Sequence, residues 1–527
     1  MQSKRDQAQA HSFIMGRLTS GMLLADPDAA ESPLGRTTRG TVIGLVIAVL
    51  VAAGAVVFGL ISPGGKDSWR SGDSLIVNKE TGARYLFIDG RLRPVRNYAS
   101  ALLIGGGKLK TTTVGTASLR GTPVGATVGI PGAPDSVPAA GDLEGGAWQV
   151  CAAVAARSGG DGTARTEAVT ALVTGGPATG TPLGAGSAVV VRGPDGTTYL
   201  VWQGSRLELD RASGAAVSLG YGSVTPRPVS AAFLDALVAG PDLAAPRVAG
   251  LGDGGPELGG TATRLGQVFT VRVPGSGVQY YQLRSEGLVP LTSTGAALVL
   301  GDPATREKAY DGGSPDPRRI GADVLGDRQA PATKGKDVSV PGLPDTPPKA
   351  AAVPEDSAVC ARVVTDSDGT RVTSAVVPAA DLGPVAQGTS DRAVAACLPV
   401  DAVVARPGHG VLVRALGAGG GIVGNTTYLV GDDGIKYRVA SDAALSALGY
   451  ADVTAQTLPS PLLAMLATGP DLAPEAASGA SAPVTAPACG TDKGGENGKG
   501  KAGDGADGRQ AAGSARSVAF ATTGAAH

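Results

Sequence analysis

The chain has 527 residues, with 45 Lys and Arg against 46 Asp and Glu, and 3 His. That balance excludes a partner held by bulk charge, and no basic stripe interleaved with aromatics points to nucleic acid. Gly and Pro together make up about 22%, near the range where unstructured stretches appear, yet the apolar content still permits a large core over more than one module.

Residues 1–40 form a polar tail in which Phe13, Ile14, Leu18, Met22 and Leu23 recur near helical spacing. We expect an amphipathic helix ending before Pro27. Its polar face carries few Lys and Arg, which favours docking on a partner through Phe13, Ile14, Leu18 and Met22 over binding to lipid.

Residues 41–61, TVIGLVIAVLVAAGAVVFGLI, contain no charge and no proline. At about 1.5 Å per residue they span the roughly 30 Å hydrocarbon core of a bilayer. The run is longer than a cleavable signal's apolar region of about 7–15 residues. Arg36 and Arg39 on one side and Lys66, Arg70 and Lys79 on the other leave the charge rule for orientation undecided. All four cysteines, Cys151, Cys360, Cys397 and Cys489, follow the anchor without any CxxC spacing, which suits disulfides in an oxidising compartment. The tail is therefore expected in the cytoplasm and the large domain outside.

Beyond the anchor the chain repeats itself. RYLFIDGRLRPVRNYASALLIGG (84–106) matches YYQLRSEGLVPLTSTGAALVLGD (280–302) without a gap from Tyr85 to Gly105. TYLVWQGSRLELDRASGAAVSLGY (198–221) matches TYLVGDDGIKYRVASDAALSALGY (427–450), and the same offset carries on to GPDLA at 240–244 and 469–473. Each unit reads as a β-hairpin and a short helix, and the second and fourth add a further helix. The segments AWQVCAAVAARS (147–158) and SAVCARVVTDSDGT (357–370) occupy matching places between the units, as do SAVVVRG (187–193) and GVLVRAL (410–416).

The fold class expected is α+β: one N-terminal transmembrane helix, then a pseudo-two-fold extracytoplasmic domain with a central β core and four repeated modules. The expected layout is module 1 at 62–120, the first half of the core at 121–190 and module 2 at 191–250. Module 3 follows at 251–310, a Pro-rich linker at 311–350, the second half of the core at 351–415 and module 4 at 416–474. Residues 475–527 are Gly-rich and charged, and are expected to be disordered.

Cys151 and Cys360 hold equivalent V-C-A positions, and residues related by a pseudo-two-fold axis meet only near that axis. We therefore expect a Cys151–Cys360 disulfide, with Cys360–Cys397 as the competing pairing. Cys489 is expected as a free thiol or a loose partner for Cys397.

Catalysis is hard to assemble. His409, in RPGHGVLV, is the single His of the large domain before the C-terminal residue, and no GxSxG accompanies it. Ile104-Gly105-Gly106-Gly107-Lys108-Leu109 has the glycines and lysine of a phosphate loop, but Leu109 stands where a Mg²⁺-binding hydroxyl is required. Asp432-Asp433 reads as a solvated turn. No catalytic, cofactor or metal residue is expected.

The tail QSKRDQAQAHSFIMGRLTSGMLLAD, the anchor, the Tyr-Leu…Leu-Gly units and both GPDLA segments resemble EccB, a membrane component of the type VII (ESX) secretion system of Actinobacteria. The resemblance runs from Met1 to about Pro474. It implies a scaffold in the inner-membrane secretion complex, with other membrane subunits, the bilayer and self-association as partners. Some members are described as ATPases, an activity not carried over because no Walker motif is present. The competing reading is a membrane-anchored extracytoplasmic hydrolase of nucleotide or cell-wall polymer, built on His409 or Lys108.

Overall fold

A computed structural model describes residues 4–25, 33–61, 67–158, 164–177, 179–273, 275, 277–331, 342–366, 369–388, 392–417, 421–487 and 489. They divide into two compact units: 4–93 with 110–125, and 94–109 with the described residues from 126 onward.

The first unit holds two long helices, Lys4–Leu24 and Pro33–Ile61. The second helix starts at Pro33, whose fixed φ suits a first helical turn, and its 21-residue apolar window Thr37–Val57 is wholly unburied. At 29 residues it is about 43 Å long, more than a bilayer core requires. Ser62-Pro63-Gly64-Gly65, a helix-stopping sequence that follows it, lies outside the described residues. A four-stranded sheet follows in the order Arg91–Pro94, Arg84–Ile88, Ser74–Asn78, Lys110–Val114, the last two parallel. Its core is Trp69, Ile76, Leu92 and Val114, with the Phe87 ring edge-on to Trp69 at 5.3 Å.

The second unit centres on a six-stranded sheet. Its order is Ala402–Val404, Ala164–Val173, Trp148–Ser158, Ser357–Asp366, Gly369–Pro378, Thr181–Pro182. Two long hairpins, one from each half of the chain, lie side by side with Cys360 directly opposite Cys151. The edges are exchanged: Ala402–Val404 of the second half pairs with the first hairpin, and Thr181–Pro182 of the first half with the second. Because side chains alternate across a strand, Trp148, Val150, Ala152, Val359, Ala361 and Val363 share one face. Cys151, Ala153, Ala171, Cys360 and Ala375 share the other.

The first of these faces is covered by the helices Ala231–Asp235 and Ser460–Ala464, through Phe233, Leu234, Leu462 and Leu463. These are the AAFLDALVAG and PLLAMLATG segments of the repeat. Each such side chain contributes about 1.5–3 kcal/mol by leaving water.

Each module is larger than a hairpin and a helix. In module 4, Val411–Leu416, Ile422–Val430 and Ile435–Val439 form an antiparallel meander. After helix Asp442–Ala447 the strand Gln456–Pro459 returns parallel to the first. Module 2 repeats this with Ser187–Arg192, Thr198–Trp202, Ser205–Glu208, helix Ala215–Ser218 and Arg227–Pro228. Module 3 does so with Val268–Val273, Gly277–Arg284, Gly287–Leu291, helix Ser293–Gly301 and Arg318–Arg319. The runs at 187–193 and 410–416, expected in the central core, thus belong to module sheets, because their registers lock them to the Tyr-Leu-Val strands.

The constant offset of the repeat also conceals a slip. Leu200 pairs with Leu207, but the equivalent Leu429 pairs with Tyr437, so the module 4 turn holds one extra residue. The structural partner of Lys436 is therefore Arg206. Both tie the third strand to the helix that covers the core. Arg206 pairs with Asp235 at 2.9 Å, while the buried Lys436 ammonium donates to the carbonyls of Leu463 and, at 2.8 Å, Leu466. Burial lowers the Lys436 pKa to about 8. Gly240 and Gly469 of GPDLA are needed at this contact, because an added Cβ would meet Leu207 Cδ2 or the Tyr437 ring at 2.3 Å.

Two expectations of disorder are corrected. Residues 311–350, expected as a linker, contain helix Ala322–Arg328, and Lys349–Ala350 pairs with Ser187–Ala188. Residues 475–487, expected as disordered, complete helix Pro474–Ala477 and run on along module 4, whereas residue 488 and those from 490 onward lie outside the described residues.

Candidate functional site

Four elements carry the sequence-derived functional expectations: the tail helix, the anchor, the paired cysteines and the residues weighed for chemistry. On helix Lys4–Leu24, Phe13, Ile14, Leu18 and Met22 are 66%, 59%, 54% and 81% exposed. At about 100° per residue Ile14, Leu18 and Met22 form one stripe, and Phe13 lies off it. The apolar surface is thus a narrow stripe with an outlying aromatic, the latter facing Arg17 at 5.9 Å.

Cys151 and Cys360 are disulfide-bonded with Cα atoms 4.0 Å apart, and both are fully buried. The bond sits where the two duplicated hairpins meet. Cys397 is bonded to Cys489, the pairing expected as one alternative for Cys489, whereas the Cys360–Cys397 bridge and the free Cys489 thiol do not describe the structure.

The two halves also clasp each other through a feature that sequence reading missed. Tyr221 donates its hydroxyl to Pro348 O and Tyr450 donates to Pro138 O, each at 2.7 Å. These acceptors close two related segments, PGAPDSVP at 131–138 and PGLPDTPP at 341–348. Each segment also receives the start of a unit helix, Ala99 N on Pro134 O at 3.2 Å and Thr294 N on Asp345 O at 3.1 Å. The tyrosines close the Leu-Gly-Tyr ends of modules 2 and 4, and burial pushes the Tyr221 hydroxyl up to about 12 and that of Tyr450 upward as well. The signal was present as a short Pro-rich repeat at a fixed spacing, hidden because one copy reads as linker.

Helix contacts follow the same exchange. Helix Ser293–Gly301 of module 3 packs on Ala215–Ser218 of module 2, and helix Tyr98–Gly105 packs on Asp442–Ala447 of module 4. A Cβ on Gly301 would lie 2.4 Å from Ser218 Cβ, and one on Gly107 would lie 2.9 Å from Ser446 O. The glycines ending each unit permit these approaches.

The residues weighed for catalysis are apart. His409 Nδ1 donates to Asp142 O at 3.1 Å and lies 3.9 Å from Glu144 Oε1, which is already paired with Arg406 at 2.6 Å. Lys108 is exposed on a different stretch of surface. Open cavities of about 380, 480 and 710 Å³ are lined by neither residue. Asp432 accepts from Gly408 N and Ser136 Oγ, and Asp433 from Tyr437 and Ile435 N, so both carboxylates brace a turn. Burial raises the Asp433 pKa. Among the described residues no three His, Cys, Asp or Glu converge as a metal site. The arrangement is built for holding parts together.

A family model described as "Type VII secretion system ESX-1, transport TM domain B" matches residues 1–485. The chain belongs to this family, EccB. Its similarity to the ESX-3 secretion system ATPase EccB3 of Mycolicibacterium smegmatis is 30% identity over 485 residues, 89% of each chain. With the ESX-2 secretion system ATPase EccB2 of Mycobacterium tuberculosis it is 28% over 503 residues, 90% of this chain and 94% of the relative. The EccB3 dimer from the ESX-3 core complex superposes with a TM-score of 0.59 at 26% identity, covering 77% of this chain and 100% of that one. A chain of an intact ESX-5 inner membrane complex gives 0.59 at 24% identity, over 92% and 98%, and shares the fold. The family match takes in the tail and anchor helices as well as the duplicated domain.

Proposed function

We propose that this chain is a structural subunit of a type VII secretion core complex, anchored by Pro33–Ile61 and supporting assembly and protein export across the inner membrane. The observation that carries this is the family match over 1–485, which unites the anchor with the interlocked domain. The proposed topology puts the tail in the cytoplasm and the large domain outside the membrane, where two disulfides persist. The tail stripe of Ile14, Leu18 and Met22, together with the separate Phe13, is proposed to dock on a neighbouring subunit. Self-association is proposed by analogy with the dimeric EccB3 relative.

Relatives carry ATPase in their names, but this chain has no Walker motif, and Leu109 follows Lys108. We propose that it works as a scaffold without its own nucleotide chemistry. Topology is testable in spheroplasts: protease added outside should degrade residues 67–487 and spare the tail. Protection of the large domain, with digestion of the tail, would reverse the proposed orientation.

A further inference from the structure

The two disulfides differ in their surroundings. Cys151–Cys360 is fully buried among Ala153, Ala171, Ala358 and Ala375. Cys489 is exposed and Cys397 half-buried, with Cys397 Sγ 3.9 Å from Pro487 O. Residues 480–487, just before Cys489, lie along module 4. Asp471 N donates to Pro483 O at 2.9 Å, and Thr485 donates through N at 3.2 Å and Oγ1 at 2.6 Å to the Asp471 carboxylate. Asp471 itself is only 2% exposed and is held by Arg438. Ala482 packs against the module 4 core, and Val484 and Ala486 are half-buried as well.

We propose that Cys397–Cys489 is a redox latch that fastens residues 480–487 to module 4 and opens while the central disulfide stays closed. Thiol–disulfide exchange needs a thiolate to reach one sulfur, so the rate follows access. A dithiol reductant attacks the exposed Cys489 Sγ, a mixed disulfide forms, and Cys397 leaves as a thiolate. The second thiol of the reductant then displaces Cys489. Two electrons and two protons pass to the cysteine pair, and the dithiol becomes a disulfide. Without the covalent tie, residues 480–487 keep the Asp471 hydrogen bonds, Ala480 N on Glu475 O at 3.0 Å and the half-buried Ala482, Val484 and Ala486, against a chain entropy of about 1–2 kcal/mol for each ordered residue. Opening exposes the Asp471 edge of module 4.

The test titrates the full-length chain in detergent with dithiothreitol, traps thiols with N-ethylmaleimide and maps peptides, with elastase cleavage in parallel. The expected result is labelling of Cys397 and Cys489 at a dithiol concentration at least tenfold below that for Cys151 and Cys360, with cuts inside 480–487 rising in step. In the Cys397→Ser/Cys489→Ser variant those cuts should appear without reductant. Joint reduction of both disulfides overturns the proposal, as do cuts that are independent of reduction. If the variant fails to fold, the wild-type titration decides alone.

Discussion

Replacing Cys151 and Cys360 together by alanine should remove about 4–5 kcal/mol of stability from the large domain. The bond closes a loop with a sequence separation of 209, and the chain-entropy account assigns such a loop about 5 kcal/mol, less any native strain. The site magnifies the loss, because the two cysteines are cross-strand partners at the junction of the duplicated hairpins. Beside them on the opposite face is Trp148, fully buried and donating through Nε1 to Gln456 Oε1 at 3.1 Å. Urea unfolding followed by tryptophan fluorescence gives the measurement. A loss below about 1 kcal/mol would mean that the sheet holds the two halves without the bond, against the entropy argument.

Gly204→Ala should also be severe, by about 3 kcal/mol or more. Gln203 and Gly204 both have positive φ, 47° and 79°, the geometry of a tight hairpin turn whose twist matches its strands. An alanine Cβ there would lie 2.0 Å from Val372 O and 2.3 Å from Val372 C, backbone atoms of the second central hairpin. The turn is fixed to the same hairpin by Gly204 N donating to Ser374 Oγ at 3.0 Å. Gly196→Ala is the control: its φ is +86° but nothing lies within 4 Å of the new Cβ. It should lose only about 1 kcal/mol, the backbone share. Equal losses at the two sites, read by thermal unfolding, would show that the module 2 turn is not pressed on the central hairpin.

The repeated Tyr-Leu-Val strands were legible because alternating β-branched and aromatic residues bounded by Gly or Asp have few other readings. Cys151 and Cys360 were legible as counterparts because V-C-A recurs. Three features were not legible, each for a physical reason. The one-residue slip between Leu207 and Tyr437 is compensated before the helix, so a gapless alignment passes over it while the side chains change partners. The described residues of the PGxPDxxP segments, 131–138 and 342–348, form no regular element of their own, and each segment is held by a tyrosine hydroxyl donated by the opposite half. Which module docks on which depends on contacts between residues far apart in the chain, as between Gly301 and Ser218 or Gly107 and Ser446, and on the removal of a Cβ rather than the presence of a group. For the functional residues, the stripe of Ile14, Leu18 and Met22 follows from spacing, and the same arithmetic of about 100° per residue places Phe13 away from it.

The central claim is that this EccB-family chain acts by holding a membrane assembly together, through its anchor and tail, rather than through a catalytic side chain. Purification in detergent from cells, with mass spectrometry of what accompanies the tagged chain, tests it most directly. The full chain and its His409→Ala and Lys108→Ala variants should each bring down the other membrane subunits of the secretion complex in the same proportion. A chain whose residues 41–61 are replaced by a poly-Leu anchor should insert but come down alone, since Gly44, Ala48, Ala52 and Ala55 would no longer offer a small-residue packing face. Normal assembly with the poly-Leu anchor, together with loss of secretion in the His409 or Lys108 variant at unchanged fold, would contradict the account and favour a hydrolase.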